Sequence, residues 1–132
     1  MSKTVYLRAF NTHFFEFLDD IQNIFPDNID IQESRTSFEL LKRANPTSLI
    51  KAWEMYVYSP YKDVIDGGDI RFFFEKNYAD DLAILSNAKD IMQIIDTLRG
   101  PIKSMSELSQ ANAMQYIQNL SKLSALYRFD FS

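Results

Sequence analysis

The stretch Phe10-Asn11-Thr12-His13-Phe14-Phe15-Glu16-Phe17-Leu18-Asp19-Asp20-Ile21-Gln22-Asn23-Ile24-Phe25-Pro26 decides the fold. Phe10, Phe14, Phe17, Leu18, Ile21, Ile24 and Phe25 follow one another at mostly three- and four-residue steps. That spacing gathers them on one face of an α-helix. Asn11, Glu16, Asp19, Asp20 and Asn23 fall mostly on the other face. Pro26 lacks the N–H that a continuing helix needs, so it predicts the stop. Upstream, Lys3 to Arg8 reads equally as the beginning of this helix or as an extended lead-in.

Working outward, Asp30 and Glu33 have the spacing of a capping box and predict a second helix. Its apolar face is Ile31, Phe38, Leu41 and Ala44, with Leu40 beside it, and Asn45-Pro46 ends it. Thr47 or Ser48 then caps a third helix that carries Leu49, Ile50, Trp53 and Val57, with Tyr56 at the edge. Pro60 predicts that this helix is kinked or split before Tyr61, Val64 and Ile65. After Gly67-Gly68, Asp69 is a cap for a short helix from Ile70 to about Lys76. The segment 77–87 reads as a helix from about Asp80 or as a packed loop.

Ala88, Ile91, Ile94, Ile95 and Leu98 mark a helix closed by Arg99-Gly100-Pro101. Ser104 with Glu107 repeats the capping-box spacing before a last helix. That helix runs to about Tyr127, with Leu108, Ala113, Ile117, Leu120, Ser124 and Tyr127 aligned. The ends, 1–8 and 128–132, are expected to be extended or frayed. The fold predicted is therefore all-α: one domain over 1–132, a bundle of five to six helices around an aromatic-rich core.

Composition agrees with that reading. Only 3 Gly and 4 Pro punctuate 132 residues, too few turns for a many-stranded sandwich. With 11 Phe and 7 Tyr, rings must fill much of the core, and buried phenols need partners. A net charge of −4 and scattered basic residues disfavour non-specific nucleic-acid binding. The absence of cysteine excludes disulfides and thiolate chemistry. No stretch approaches the ~18 consecutive apolar residues of a membrane span, and no export signal is expected at Met1-Ser2-Lys3-Thr4-Val5.

Catalytic signatures are missing. Neither phosphate-loop string nor a nucleophile elbow occurs. His13 is the sole histidine, and Glu16 three residues on has the spacing to poise it as a base, but the favoured reading is a surface or half-buried helix histidine. Asp63, Asp66 and Asp69 surround Gly67-Gly68 without the alternation of an EF-hand loop, so a helix end followed by an Asp cap accounts for them without a metal. Asp19-Asp20 and Asp80-Asp81 are neighbours in sequence, and adjacent helical side chains point roughly 100° apart. The reading therefore assigns no catalytic, cofactor or metal residue and no cofactor. Its candidate interaction surface is Phe72, Phe73 and Phe74, with Trp53, Tyr58 and Tyr61 around Pro60. Three consecutive rings cannot share one helical face, so at least one points away from the local core. For the rings near Pro60 the favoured reading is a ring-rich core with phenols at its edge, with a contact surface as the other.

Several strings carry a resemblance. They are Phe10-Asn11, His13-Phe14, Glu16-Phe17, Asp20-Ile21, Phe25-Pro26-Asp27, Lys42 with Ala44-Asn45-Pro46, Gly68-Asp69 with Phe72-Phe73 and Tyr78, Leu98-Arg99 with Pro101-Ile102, and Tyr116-Ile117-Gln118-Asn119-Leu120-Ser121-Lys122-Leu123-Ser124. Over nearly its whole length the chain resembles a family of small helical proteins, without an assigned activity, encoded by nucleocytoplasmic large DNA viruses of the mimivirus and phycodnavirus kind. The resemblance carries over no site residues. It implies a viral product in the host cytoplasm or virion, not secreted. The expected function is a non-enzymatic protein-interaction module that meets a viral or host protein or a second copy of itself. Two alternatives stand beside it. A carboxylate-based metal-dependent hydrolase or nuclease requires Glu16, Asp20, Asp63, Asp66, Asp69, Asp80 and Asp81 to converge. A nucleic-acid-binding accessory protein requires Arg35, Lys42, Arg43 and Lys51 to gather on one face.

Overall fold

A computed structural model describes residues 3–71 and 100–129. Those residues form an all-α protein, without a strand among them, around one aromatic-rich core. Helix α1 spans Lys3–Ile24 and buries Phe10, Phe14, Phe17, Leu18 and Ile21 as its periodicity predicts. Ile24, expected on the same face, is exposed, and Asn11, expected on the other, is buried with its Nδ2 donating to the Pro46 carbonyl at 3.1 Å. The lead-in that the sequence left open is helical. Tertiary contacts hold it there: Leu7 packs against the core, and the Lys3 ammonium lies 5.1 Å from the centre of the Tyr127 ring. At the other end, Gln22 Nε2 donates to the carbonyls of Phe25 (3.0 Å) and Pro26 (3.3 Å), in the turn that follows the helix.

Helix α2 spans Ile29–Ala44. Its cap is Asn28, whose Oδ1 accepts the Ile31 N–H at 3.1 Å; the expected Asp30–Glu33 box does not form. The Asn28 N–H bonds the Phe25 carbonyl, and this turn already places an extended residue with a side-chain acceptor at the helix start. Asp30 is left in the first turn, where its charge suits the helix dipole. The predicted stop holds: Asn45 leaves helical geometry at φ −151°, and its N–H closes on the Leu41 carbonyl.

The segment after Asn45 is nearly continuous helix: α3 (Ser48–Ala52), a π-helical turn (Trp53–Tyr58) and α4 (Ser59–Asp66). Neither Thr47 nor Ser48 caps α3 with its side chain, since both hydroxyls donate back to Asn45. The irregularity expected at Pro60 lies on either side of it. Pro60 has no N–H for the Tyr56 carbonyl and its ring crowds that carbonyl. The widened π turn just before it relieves this crowding, with the Ser59 N–H reaching back to Glu54. Tyr61, just after it, is non-helical at φ −122°, ψ 25°. Helix α4 ends in a Schellman arrangement: the Asp69 N–H bonds Val64 and the Gly68 N–H bonds Ile65. Gly68 takes the φ of +79° that this ending requires.

Backbone at 100–104 is helical, although Gly100-Pro101 was expected to close a helix. Ser104 therefore lies inside helical structure, and its hydroxyl bonds back to the Gly100 carbonyl. The cap of the last helix, α5 (Glu107–Phe129), is instead Ser106, whose Oγ accepts the Ser109 N–H at 3.2 Å. Helix α5 buries Ala113, Met114, Ile117, Leu120, Ser121 and Ser124. Leu108 leaves the expected stripe and is 74% exposed, because nine helical residues before Ile117 is half a turn out of phase.

Helices α1 and α5 lie antiparallel: Lys3 meets Tyr127, His13 meets Asn119, and Asp20 meets Tyr116. Between them the core is built of rings. Phe14 stacks on Phe10 (centroids 5.9 Å apart) and meets Phe38 (4.9 Å) and Trp53 (6.2 Å) edge to face. The expected helices over 70–76 and 87–98, the segment 77–87 and the tail 130–132 lie outside the described residues, except that Ile70 and Arg71 are described.

Candidate functional site

Along the seam of α1 and α5, Asp20, Asn112 and Tyr116 line two adjoining recesses of about 230 and 270 Å³. The first is mainly apolar, lined by Phe17, Ile21, Ile24, Met105 and Ala113. The second continues it with His13, Gln115 and Asn119. The helices themselves cause the change of character. Phe17, Ile21 and Ala113 belong to the buried faces of their helices, whereas Asp20, Asn112 and Gln115 lie on the exposed shoulders beside them.

Tyr116 sits at the junction. Its hydroxyl donates to Asp20 Oδ2 at 2.7 Å, and its ring stacks on Phe17 with centroids 5.1 Å apart. On the polar side, His13 Nδ1 lies 3.5 Å from Glu16, and its Nε2 lies 3.4 Å from Asn119 Nδ2. The His13 ring leans on Tyr116 at 4.6 Å. The hydrogen bond to Asp20 holds the Tyr116 phenol protonated and pushes its pKa up to about 12; desolvation and the negative charges of Asp20 and Glu16 act in the same direction.

This raised value makes a checkable expectation. The neutral phenol belongs to the folded protein, so its contribution to stability is complete below pH 10 and is lost as pH rises from 10 towards 12. A phenolate absorbance titration should show a transition near pH 12 that Tyr116→Phe removes and Asp20→Asn moves downward. A profile unchanged by both substitutions would exclude the hydrogen bond as its cause.

At the edge of the apolar recess Ile24 is 44% exposed. No described helix is long and apolar enough to cross a membrane.

The residues singled out from the sequence are spread elsewhere. Trp53 is 3% exposed, and its Nε1 donates to Ser121 Oγ at 3.0 Å. It is a core residue and not part of a contact surface, a correction forced by the turn that points it inward. Tyr58 and Tyr61 are half-buried and pack against the core; the Tyr58 hydroxyl donates to Asp66. Burial, then that bond, raises the Tyr58 pKa. Phe72, Phe73 and Phe74 lie outside the described residues, as do Asp80 and Asp81. Asp69 pairs with Arg71, whose hydrogen bonds hold the carboxyl below its usual pKa. Among the described residues no three or more His, Cys, Asp or Glu side chains gather to hold a metal ion. Asp19 and Asp20 part company, the first to Arg35 on α2 and the second to Tyr116 on α5. Of the basic residues, Arg35 and Lys42 flank the Phe15 ring, Arg35 and Arg43 both pair with Glu39, and Lys51 lines a different cleft.

Sequence reading missed the Asp20–Tyr116 and His13–Asn119 pairs, which join residues 96 and 106 positions apart. The one signal available was Tyr116 and Asn119 three apart on the edge of the α5 stripe. No protein-family model matches this chain, and no curated protein or solved structure matches it.

Proposed function

We propose that this chain is a non-enzymatic interaction module that grips a partner protein in the α1–α5 recess. The observation that carries the reading is the joining of an apolar hole, with Ile24 exposed at its edge, to a polar shelf headed by Asp20. An apolar anchor side chain fits the first part and excludes water around it, as central interface contacts do. The shelf asks for a donor or a cation, since Asp20 is its charged acceptor, Glu16 stands beside its His13, and the whole chain carries −4. The partner segment is therefore amphipathic, with an apolar residue beside a Lys or Arg. The resemblance to proteins of large DNA viruses supports a viral or host partner met in the host cytoplasm or the virion. The hydrolase alternative gains no support from the described residues, among which no three or more carboxylates or histidines gather to hold a metal. The nucleic-acid alternative is weakened because Lys51 stands apart from Arg35, Lys42 and Arg43, which gather around Glu39 and Phe15.

The test is capture of partners from lysate with the tagged chain, followed by mapping of the bound segment. Ile24→Asp, at an exposed position of the lining, should leave the fold intact while weakening capture about tenfold or more. A mapped segment with the apolar–basic pattern, lost with Ile24→Asp, is the expected result. Capture that is indifferent to Ile24→Asp and to Asn112→Lys places the contact elsewhere and overturns the assignment.

A further inference from the structure

A second cleft lies where the start of α1, the π turn and the end of α5 meet, and it has a different chemistry. Its volume is about 550 Å³, larger than either recess at the α1–α5 seam. Ile50, Met55 and Tyr127 give it an apolar lining, and Ser59 and Ser124 contribute hydroxyls. Lys3, Lys51, Arg128 and Glu54 are its charged residues. Glu54 and Arg128 are 2.7 Å apart and cancel. Among the described residues of its lining, three cations less one carboxylate leave a net charge of +2, from Lys3 and Lys51, in a chain whose total is −4. The wall that carries Glu54 is the π turn, a distortion found often at functional sites.

We propose that this cleft binds a small organic phosphomonoester, a dianion on an apolar or aromatic group. The dianion matches the net charge, with the two ammonium groups as donors and point charges. Apolar surface from Met55, Ile50 and Tyr127 accommodates the organic part, and the cleft is within the size range of small-molecule sites. Met55 is 55% exposed, so the entrance is greasy and open. Glu54 limits affinity, because its carboxylate repels the incoming anion while holding Arg128. The site stands apart from the α1–α5 recess and does not depend on the partner reading.

Phenyl phosphate is the probe, followed by amide NMR shifts on the full chain at neutral pH, where the phosphomonoester is mostly dianionic. Shifts that saturate and centre on Lys51, Glu54 and Ser124 are expected, with inorganic phosphate and the monoanion benzenesulfonate weaker and neutral benzyl alcohol weaker still. Lys51→Ala, at an exposed position, should weaken binding roughly threefold to fivefold. Glu54→Gln keeps an acceptor for Arg128 and should strengthen binding by a similar factor. Absence of saturable shifts overturns the proposal. So does binding of benzyl alcohol as tight as that of phenyl phosphate, or a Lys51→Ala variant that binds as the parent does. Lys3→Ala, on a different helix, supplies an independent check: parental affinity in both lysine variants excludes the charge match.

Discussion

Phe14→Ala should cost about 3–5 kcal/mol of folding free energy. The side chain is buried at the one point where α1, α2 and the π turn converge, touching Phe10, Phe38 and Trp53. Alanine removes the transfer energy of a whole ring and leaves a hole among other rings, whose edge-to-face contacts it also takes away. Those neighbours are stiff, two-χ side chains on three separate elements, so the hole closes poorly. Phe15, next in sequence, is the internal control. It is only half-buried and lies under Arg35 and Lys42, each 5.4 Å from its centroid. Phe15→Ala loses partial burial, one edge contact with Phe14 at 5.6 Å and two exposed cation–π contacts, about 2 kcal/mol. Urea unfolding followed by circular dichroism separates the two. Equal losses would show that the ring cluster is not the organising core.

How much of this could be read from the letters depends on the range of the interaction. The face of α1 was legible because helical period and burial coincide from Phe10 to Ile21; so was the stop at Asn45-Pro46, where the breaker acts on its own backbone. Caps were harder. Asn28, Asp30, Ser104 and Ser106 are all chemically able to cap, and the turn or helix before each decides which one does. Leu108 misled because it lies half a turn out of phase with Ile117 and so faces solvent. Pro60 announced a distortion but not its form, since the π turn sits upstream of the proline that provokes it. The sites lay almost wholly beyond reach. Asp20 and Tyr116 meet only because α1 and α5 pack antiparallel in one register, and no local pattern encodes that register. Trp53 was misplaced for the same reason: an indole looks alike on paper whether its N–H meets water or Ser121.

Among the charged pairs of the described residues, Arg128→Ala should be the costliest change, about 2 kcal/mol. Its partner Glu54 has a side chain only 12% exposed, held at 2.7 Å, and truncating the arginine leaves that carboxylate without compensation. A fully enclosed pair would lose about 3–5 kcal/mol on such a cut. Arg128 is 53% exposed, so water reaches the site and the loss is smaller. Packing of the arginine stem could produce a loss of similar size, and a double-mutant cycle distinguishes the causes. In a Glu54→Gln background the stranded charge is gone. Arg128→Ala should then cost under about 1 kcal/mol, while Glu54→Gln alone costs little because the amide oxygen still accepts from the guanidinium. Equal costs of Arg128→Ala in both backgrounds would assign the effect to packing. The expected coupling instead ties the last turn of α5 to the π turn through one buried carboxylate. Glu54 is thus both the anchor of that corner and the repulsive element in its cleft. A substitution that improves anion binding there should therefore loosen the contact that positions Arg128.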